Sequence, residues 1–70
     1  MEKITLERRK EIGAAIALHR QKCGYTVREL AAITGYAPAN ISKIEKGAYN
    51  VSIDILGNIC NALGVKIHID

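Results

Sequence analysis

The stretch Gly24-Tyr25-Thr26-Val27-Arg28-Glu29-Leu30-Ala31-Ala32-Ile33-Thr34-Gly35-Tyr36-Ala37-Pro38-Ala39-Asn40-Ile41-Ser42-Lys43-Ile44-Glu45-Lys46-Gly47 holds two helix starts and two helix stops in close succession. Thr26-Val27-Arg28-Glu29 reads as a capping box: the threonine hydroxyl accepts from the N3 amide, and the glutamate reaches back to the cap amide. Tyr25 and Leu30 stand at the two hydrophobic-staple positions around it. A short helix is expected over 27–34. Gly35 ends it, because the residue after a helix takes a left-handed conformation that glycine enters without strain. Gly35-Tyr36-Ala37 makes the turn. Pro38 suits the first position of the next helix, where its missing N–H costs nothing. That helix is expected over 38–46, with Ile41 and Ile44 on one face and Gly47 as its stop.

Toward the N-terminus, Ile12, Ile16, His19 and Cys23 recur at i, i+4, i+7 and i+11, one face of a helix over 5–22. Thr5 is its expected cap and Gly24 its stop. The other faces carry Arg8, Arg9, Lys10, Glu11 and Arg20. Toward the C-terminus, Ala48-Tyr49-Asn50-Val51 reads as a loop. Ser52 caps a fourth helix over 53–63, with Asp54 favoured in its first turn by the helix dipole. Leu56, Ile59, Cys60 and Leu63 form its apolar stripe, and Gly64 stops it. Val65-Lys66-Ile67-His68-Ile69-Asp70 then alternates apolar and polar, the pattern of a half-buried strand over 65–69. A lone strand cannot satisfy its own backbone groups, so its expected partner is the same strand of a second copy.

The 70 residues suit one domain spanning 1–70. Below roughly 70–80 residues a core is marginal alone and often leans on a partner, a metal or disulfides. Apolar residues make up 49 % of the chain, which argues against a disordered tail. With three Tyr and neither Phe nor Trp, the core must come from Ile, Leu, Val and Ala. A net charge of +3 and a sequence pI of about 9.1 permit a polyanionic partner without requiring one. Cys23 and Cys60 match no metal spacing. The N-terminus opens no apolar run that would mark a signal peptide, and no run of roughly 18 apolar residues marks a membrane span. Free thiols in a reducing cytoplasm are the expectation. No nucleophile triad, paired carboxylates, phosphate loop or His/Cys cluster stands in the sequence, so neither catalysis, metal nor cofactor is expected.

Two short helices joined by a tight glycine-containing turn are the helix-turn-helix arrangement. The residues resemble the Cro/repressor-type, or XRE, family of helix-turn-helix regulators. Gly24-Tyr25-Thr26 with Arg28-Glu29-Leu30-Ala31 resembles that family's entry to its second helix. Gly35 to Asn40 with Ile41-Ser42-Lys43-Ile44-Glu45-Lys46-Gly47 resembles its recognition helix and exit, and Asn50 to Leu63 its fourth helix. The likeness covers residues 12–64. It implies an all-α, four-helix, lambda repressor-like fold, here with a short C-terminal β-strand in place of the fifth helix. That ending resembles HipB-like antitoxins, which use a C-terminal strand in the dimer. Three positions depart from the family: Val27 where Gln is usual, Ala37 where Ser or Thr caps the recognition helix, and Val51 where Pro commonly precedes the next cap.

The resemblance implies binding of double-stranded DNA, with the helix over 38–46 in the major groove and Pro38, Ala39, Asn40 and Lys43 at the base edges. Asparagine suits adenine, lysine suits guanine O6 and N7, and alanine suits the thymine methyl. Pro38 brings no hydrogen bond. Thr26, Val27, Arg28, Ser42, Lys46, Tyr49 and Asn50 are the implied phosphate contacts, Val27 through its backbone N–H at a helix N-terminus. Arg20 and Glu45 read either as rim residues or as a salt bridge between the first and third helices, and the resemblance implies the bridge. Ser42 reads as a DNA contact or as facing the second helix. The Arg8-Arg9-Lys10 run reads as a solvated face or a phosphate contact. His19 reads as a core or boundary residue, with a metal or pH role as the alternative, and His68 falls on the polar side of the strand. Cys60 reads as a core thiol and Cys23 as helix-end packing.

The resulting expectation is a dimeric repressor on a palindromic operator, joined through Val65, Ile67 and Ile69. Seventy residues leave no room for an effector domain, which points to simple occlusion of a promoter. The alternative is an antitoxin that binds a protein toxin and autoregulates its operon. A third reading, an interaction module that no longer binds DNA, is motivated by Val27 and Pro38.

Overall fold

The computed structural model describes residues 6–48 and 52–66. Four helices follow in order: α1 (Leu6–Lys22), α2 (Val27–Thr34), α3 (Pro38–Glu45) and α4 (Ile53–Leu63). Thr5 lies outside the described residues. α3 ends one residue before its expected limit, and Lys46 is its C-cap.

Each start has its chemical reason. The Glu29 amide donates to Thr26 Oγ1 at 3.1 Å and the Thr26 amide donates to Glu29 Oε1 at 2.9 Å, so both halves of the capping box are present. The Ile55 amide donates to Ser52 Oγ at 3.2 Å and so caps α4. α3 starts differently, with Pro38 at its first position and Ala37 as a cap that offers no side-chain acceptor.

Three helices stop by one device. The amide that follows a glycine of positive φ folds back onto a carbonyl of the last turn. Tyr25 N–H meets the Arg20 carbonyl at 3.1 Å, Ala48 N–H the Lys43 carbonyl at 2.9 Å, and Val65 N–H the Cys60 carbonyl at 2.9 Å. This last bond bears on the expected strand. Val65 and Lys66 carry no regular structure, and the Val65 amide closes α4 where a ladder would need it. Ile67 and Ile69 lie outside the described residues. Among the described residues there is no strand.

Among the described residues the buried core is aliphatic: Ile16, Leu30, Ala31, Ile41, Ile44, Ile59 and Leu63, with Leu30, Ile41 and Ile59 fully buried. Tyr25, at its staple position, packs against this cluster. α3 lies on both α1 and α2, and α4 covers α2. The apolar stripe expected on α1 is only partly its inner face. Ile16 is buried, Ile12 and His19 are half-buried, and Cys23 is exposed. The inner edge of α1 runs instead through Gly13, Ile16 and Arg20, spaced at i, i+3 and i+7.

Candidate nucleic-acid interface

α3 is held against α1 by a glycine and an ion pair. A Cβ built on Gly13 would collide with the Ile44 carbonyl oxygen and meet the Glu45 carbonyl oxygen at 2.5 Å, so the two backbones touch where no side chain fits. Two turns along α1, Arg20 Nε donates to Glu45 Oε2 at 2.7 Å and Nη2 to Oε1 at 3.1 Å. Nη1 donates to the Tyr25 carbonyl at 2.8 Å. The two side chains keep only 13 % and 10 % of their exposure, so Arg20 and Glu45 are a structural bridge and not rim residues. The hydrogen bonds to Glu45 hold the Arg20 guanidinium above its ordinary pKa, against the opposite pull of burial.

The bridge has an electrostatic consequence for the outer face. Glu45 is the only acid on α3, and it is turned inward onto Arg20. The first turn of α3 has no acid. What α3 presents to solvent is therefore free of negative charge. Two positions on either side of fully buried Ile41 stand Ala39 and Lys43. At about 100° per residue, both point roughly 200° away from Ile41, so they lie one above the other on the side opposite the core. Both are exposed, as are Pro38 and Lys46. Asn40 and Ser42 sit half-buried on the two shoulders.

α2 supplies the flank. Thr26 and Arg28 are exposed, and Arg28 shares the rim of a shallow depression with Ala32, Gly35, Tyr36 and Pro38, which puts it on the side where α3 begins. Glu29, the one acid of the α2 first turn, is tied to the Thr26 amide. Val27 is half-buried and packs against the core, so its side chain is partly engaged inside. Tyr49 and Asn50 lie outside the described residues. The structure thus brings Thr26, Arg28, Pro38, Ala39, Lys43 and Lys46 to exposed positions on α2, α3 and their ends.

The remaining singled-out residues have local partners. Arg8 Nη1 pairs with Glu11 Oε2 at 3.3 Å on an exposed face. The Cys23 thiol donates to the Leu63 carbonyl at 3.6 Å. Cys60 is half-buried, and burial pushes its thiol pKa up. His19 lines an apolar groove between α1 and α4 with Ile12, Leu56, Cys60 and Val65. Two features escaped the sequence reading. One is Gly13, which breaks no helix and so gives no pattern signal. The other is the Asn58 amide donating to the Tyr36 hydroxyl at 2.8 Å, which ties α4 to the turn before α3.

Among the described residues no cluster could hold a metal ion and no helix is long and apolar enough to cross a membrane. The helix-turn-helix family model matches residues 16–69. The chain is 35 % identical over 57 residues to the HTH-type transcriptional regulator SlrR of Bacillus subtilis (strain 168), covering 80 % of this chain and 38 % of SlrR. It spans less than two-fifths of that relative's length. Two crystal structures of the clp gene regulator ClgR from Corynebacterium glutamicum share the fold. One superposes with a TM-score of 0.83 at 35 % identity, covering 94 % of this chain and 82 % of that one. The other gives 0.80 at 38 % identity, covering 87 % and 63 %. With fold, capping pattern and sequence in agreement, the chain belongs to the helix-turn-helix family of the XRE, or Cro/repressor, type.

Proposed function

We propose that the chain is a sequence-specific DNA-binding transcriptional regulator, a dimeric repressor that reads a palindromic operator with α3 in the major groove. The observation that carries the reading is the outer face of α3, where Ala39 and Lys43 oppose buried Ile41 and the helix's only acid is turned away. Base edges fall to Pro38, Ala39, Asn40 and Lys43. Backbone phosphates fall to Thr26, Val27, Arg28, Ser42, Lys46, Tyr49 and Asn50, which set register without reading sequence. The names of SlrR and ClgR, both gene regulators, support a role in gene regulation.

A second reading, an antitoxin that binds a protein toxin, draws on the alternation at 65–69 and on the apolar groove beside Val65. Fluorescence anisotropy separates the two. The chain is titrated onto the DNA upstream of its own gene and onto a scrambled duplex, across a salt series. The DNA-reading proposal expects tighter binding to the first, kept near physiological salt and weakened about ten- to hundredfold by Asn40→Ala or Lys43→Ala. Equal and salt-fragile binding to both duplexes rejects it and turns attention to protein partners.

A further inference from the structure

The groove between α1 and α4 takes no part in the reading of DNA: none of the residues assigned to base edges or phosphates lines it. Its floor is apolar, with Ile12 from α1, Leu56 and Cys60 from α4 and Val65 beyond it, all half-buried. Burial pushes the Cys60 thiol pKa up, which marks this wall as poor in water. The charged and titratable side chains that join the floor are Arg8, His19 and Lys66, and among the described lining residues none is an acid. Arg8 and Lys66 are exposed and His19 is half-buried. Arg8 shares its charge with Glu11, so polar recognition falls first to Lys66 and the His19 imidazole. The groove holds about 310 Å³, at the lower end of the roughly 300–1,000 Å³ of sites that take small molecules.

An apolar floor edged by cations and by no acid complements one ligand chemistry, an apolar body carrying a negative charge. A cation is repelled by Arg8 and Lys66, a neutral body leaves their donors unused, and a wholly polar anion gains nothing from the floor. We infer that the groove between α1 and α4 is a binding site for a small amphiphilic carboxylate, its body on Ile12, Leu56, Cys60 and Val65 and its carboxylate toward Lys66 and His19. The groove also borders the segment through which two copies are proposed to pair. Resting on that dimer, a bound carboxylate and the second copy exclude one another, which makes the site a control on operator binding.

Decanoate, kept below the concentration at which it forms micelles, is the probe. Methyl decanoate is its neutral control and decyltrimethylammonium its cationic one. Amide NMR spectra of the full chain are expected to show saturable shifts at Ile12, Cys60 and Val65 with decanoate. The ester is expected to bind about fivefold more weakly, the worth of one exposed ion pair, and the ammonium more weakly still. Lys66→Glu is expected to weaken decanoate about tenfold and to leave the ester unchanged. Ala15→Leu, which fills the groove from an exposed position, is expected to abolish both. Both variants should keep the melting temperature. Shifts spread over the whole chain, or equal affinity for acid, ester and ammonium, amount to apolar adsorption and overturn the site. Light scattering through the titration reads the exclusion, with the mass expected to fall from two chains to one as the groove fills. Saturable binding at a constant mass of two chains overturns the exclusion. A single mass before decanoate is added overturns the dimer, and the NMR titration still decides the site.

Discussion

Gly13 illustrates how one missing Cβ sets the position of a whole helix. Inside a helix glycine costs about 1 kcal/mol relative to alanine, so its presence at mid-α1 needs a reason. The reason is the backbone of α3, whose Ile44 and Glu45 carbonyls occupy the space a Cβ would take. Gly47 meets α1 in the same way. It has φ of 74°, and a Cβ there would lie 2.7 Å from the Lys10 amide nitrogen. Gly13→Ala gains helix propensity and yet is expected to destabilise by roughly 1–3 kcal/mol, because backbone carbonyls cannot swing aside as a side chain would. Thermal melting checks it, and an unchanged or raised Tm would refute the close approach. The two thiols differ for a similarly local reason. Burial raises the Cys60 pKa, so its protonated form is favoured in the fold. Whatever stability that lends is held below the ordinary thiol range and lost as pH rises through the raised value. At mildly alkaline pH iodoacetamide is therefore expected to modify exposed Cys23 well before half-buried Cys60, as mass spectrometry can follow. Equal rates at the two sites would contradict it.

Elements were legible where a local signal and the tertiary fold agreed. The capping box at Thr26–Glu29 and the cap at Ser52 set the starts of α2 and α4 at the expected residues. Less was legible on α1. Its inner edge uses glycine for close approach and arginine for an ion pair, and neither registers in a count of apolar residues. The pattern therefore pointed to a neighbouring stripe, one that lines the groove toward α4. Val65 misled for another reason. Alternation describes side chains, whereas its amide was already used to close α4. Of the candidate interface, the exposed positions on α3 and the bridge from Arg20 to Glu45 followed from the family resemblance, while the inward turn of Glu45 away from the reading face needed the packing. α3 itself lacks a side-chain cap, which leaves room for improvement. Ala37→Ser supplies an acceptor for its first amides and is expected to stabilise by about 1 kcal/mol, raising Tm by roughly 4–8 °C. A Tm that does not rise would mean that the Ala37 backbone cannot place a serine hydroxyl over the helix.

At the scale of the whole molecule, the reading face of one copy is short. The eight residues of α3 extend about 12 Å, enough for three or four base pairs. One such helix specifies too little sequence to single out a promoter, and two copies related by a two-fold axis would set a pair of them about 34 Å apart on successive turns of DNA. The surface proposed to join them is the segment after α4 together with the groove that Ile12, Leu56, Cys60 and Val65 line. Removing Val65 would confuse the test, since its amide closes α4 and its side chain packs on the core. Deleting only residues 67–70 leaves both in place. Light scattering is expected to give twice the chain mass for the full sequence and a single mass for the truncated one. The truncated chain should keep its affinity for a half-site and lose the gain that a palindrome confers, because that gain comes from linking two contacts and not from α3 itself. A truncated chain that still scatters as a pair would place the dimer contact elsewhere, with the exposed Leu18, Ile33 and Ile53 the next surfaces to substitute.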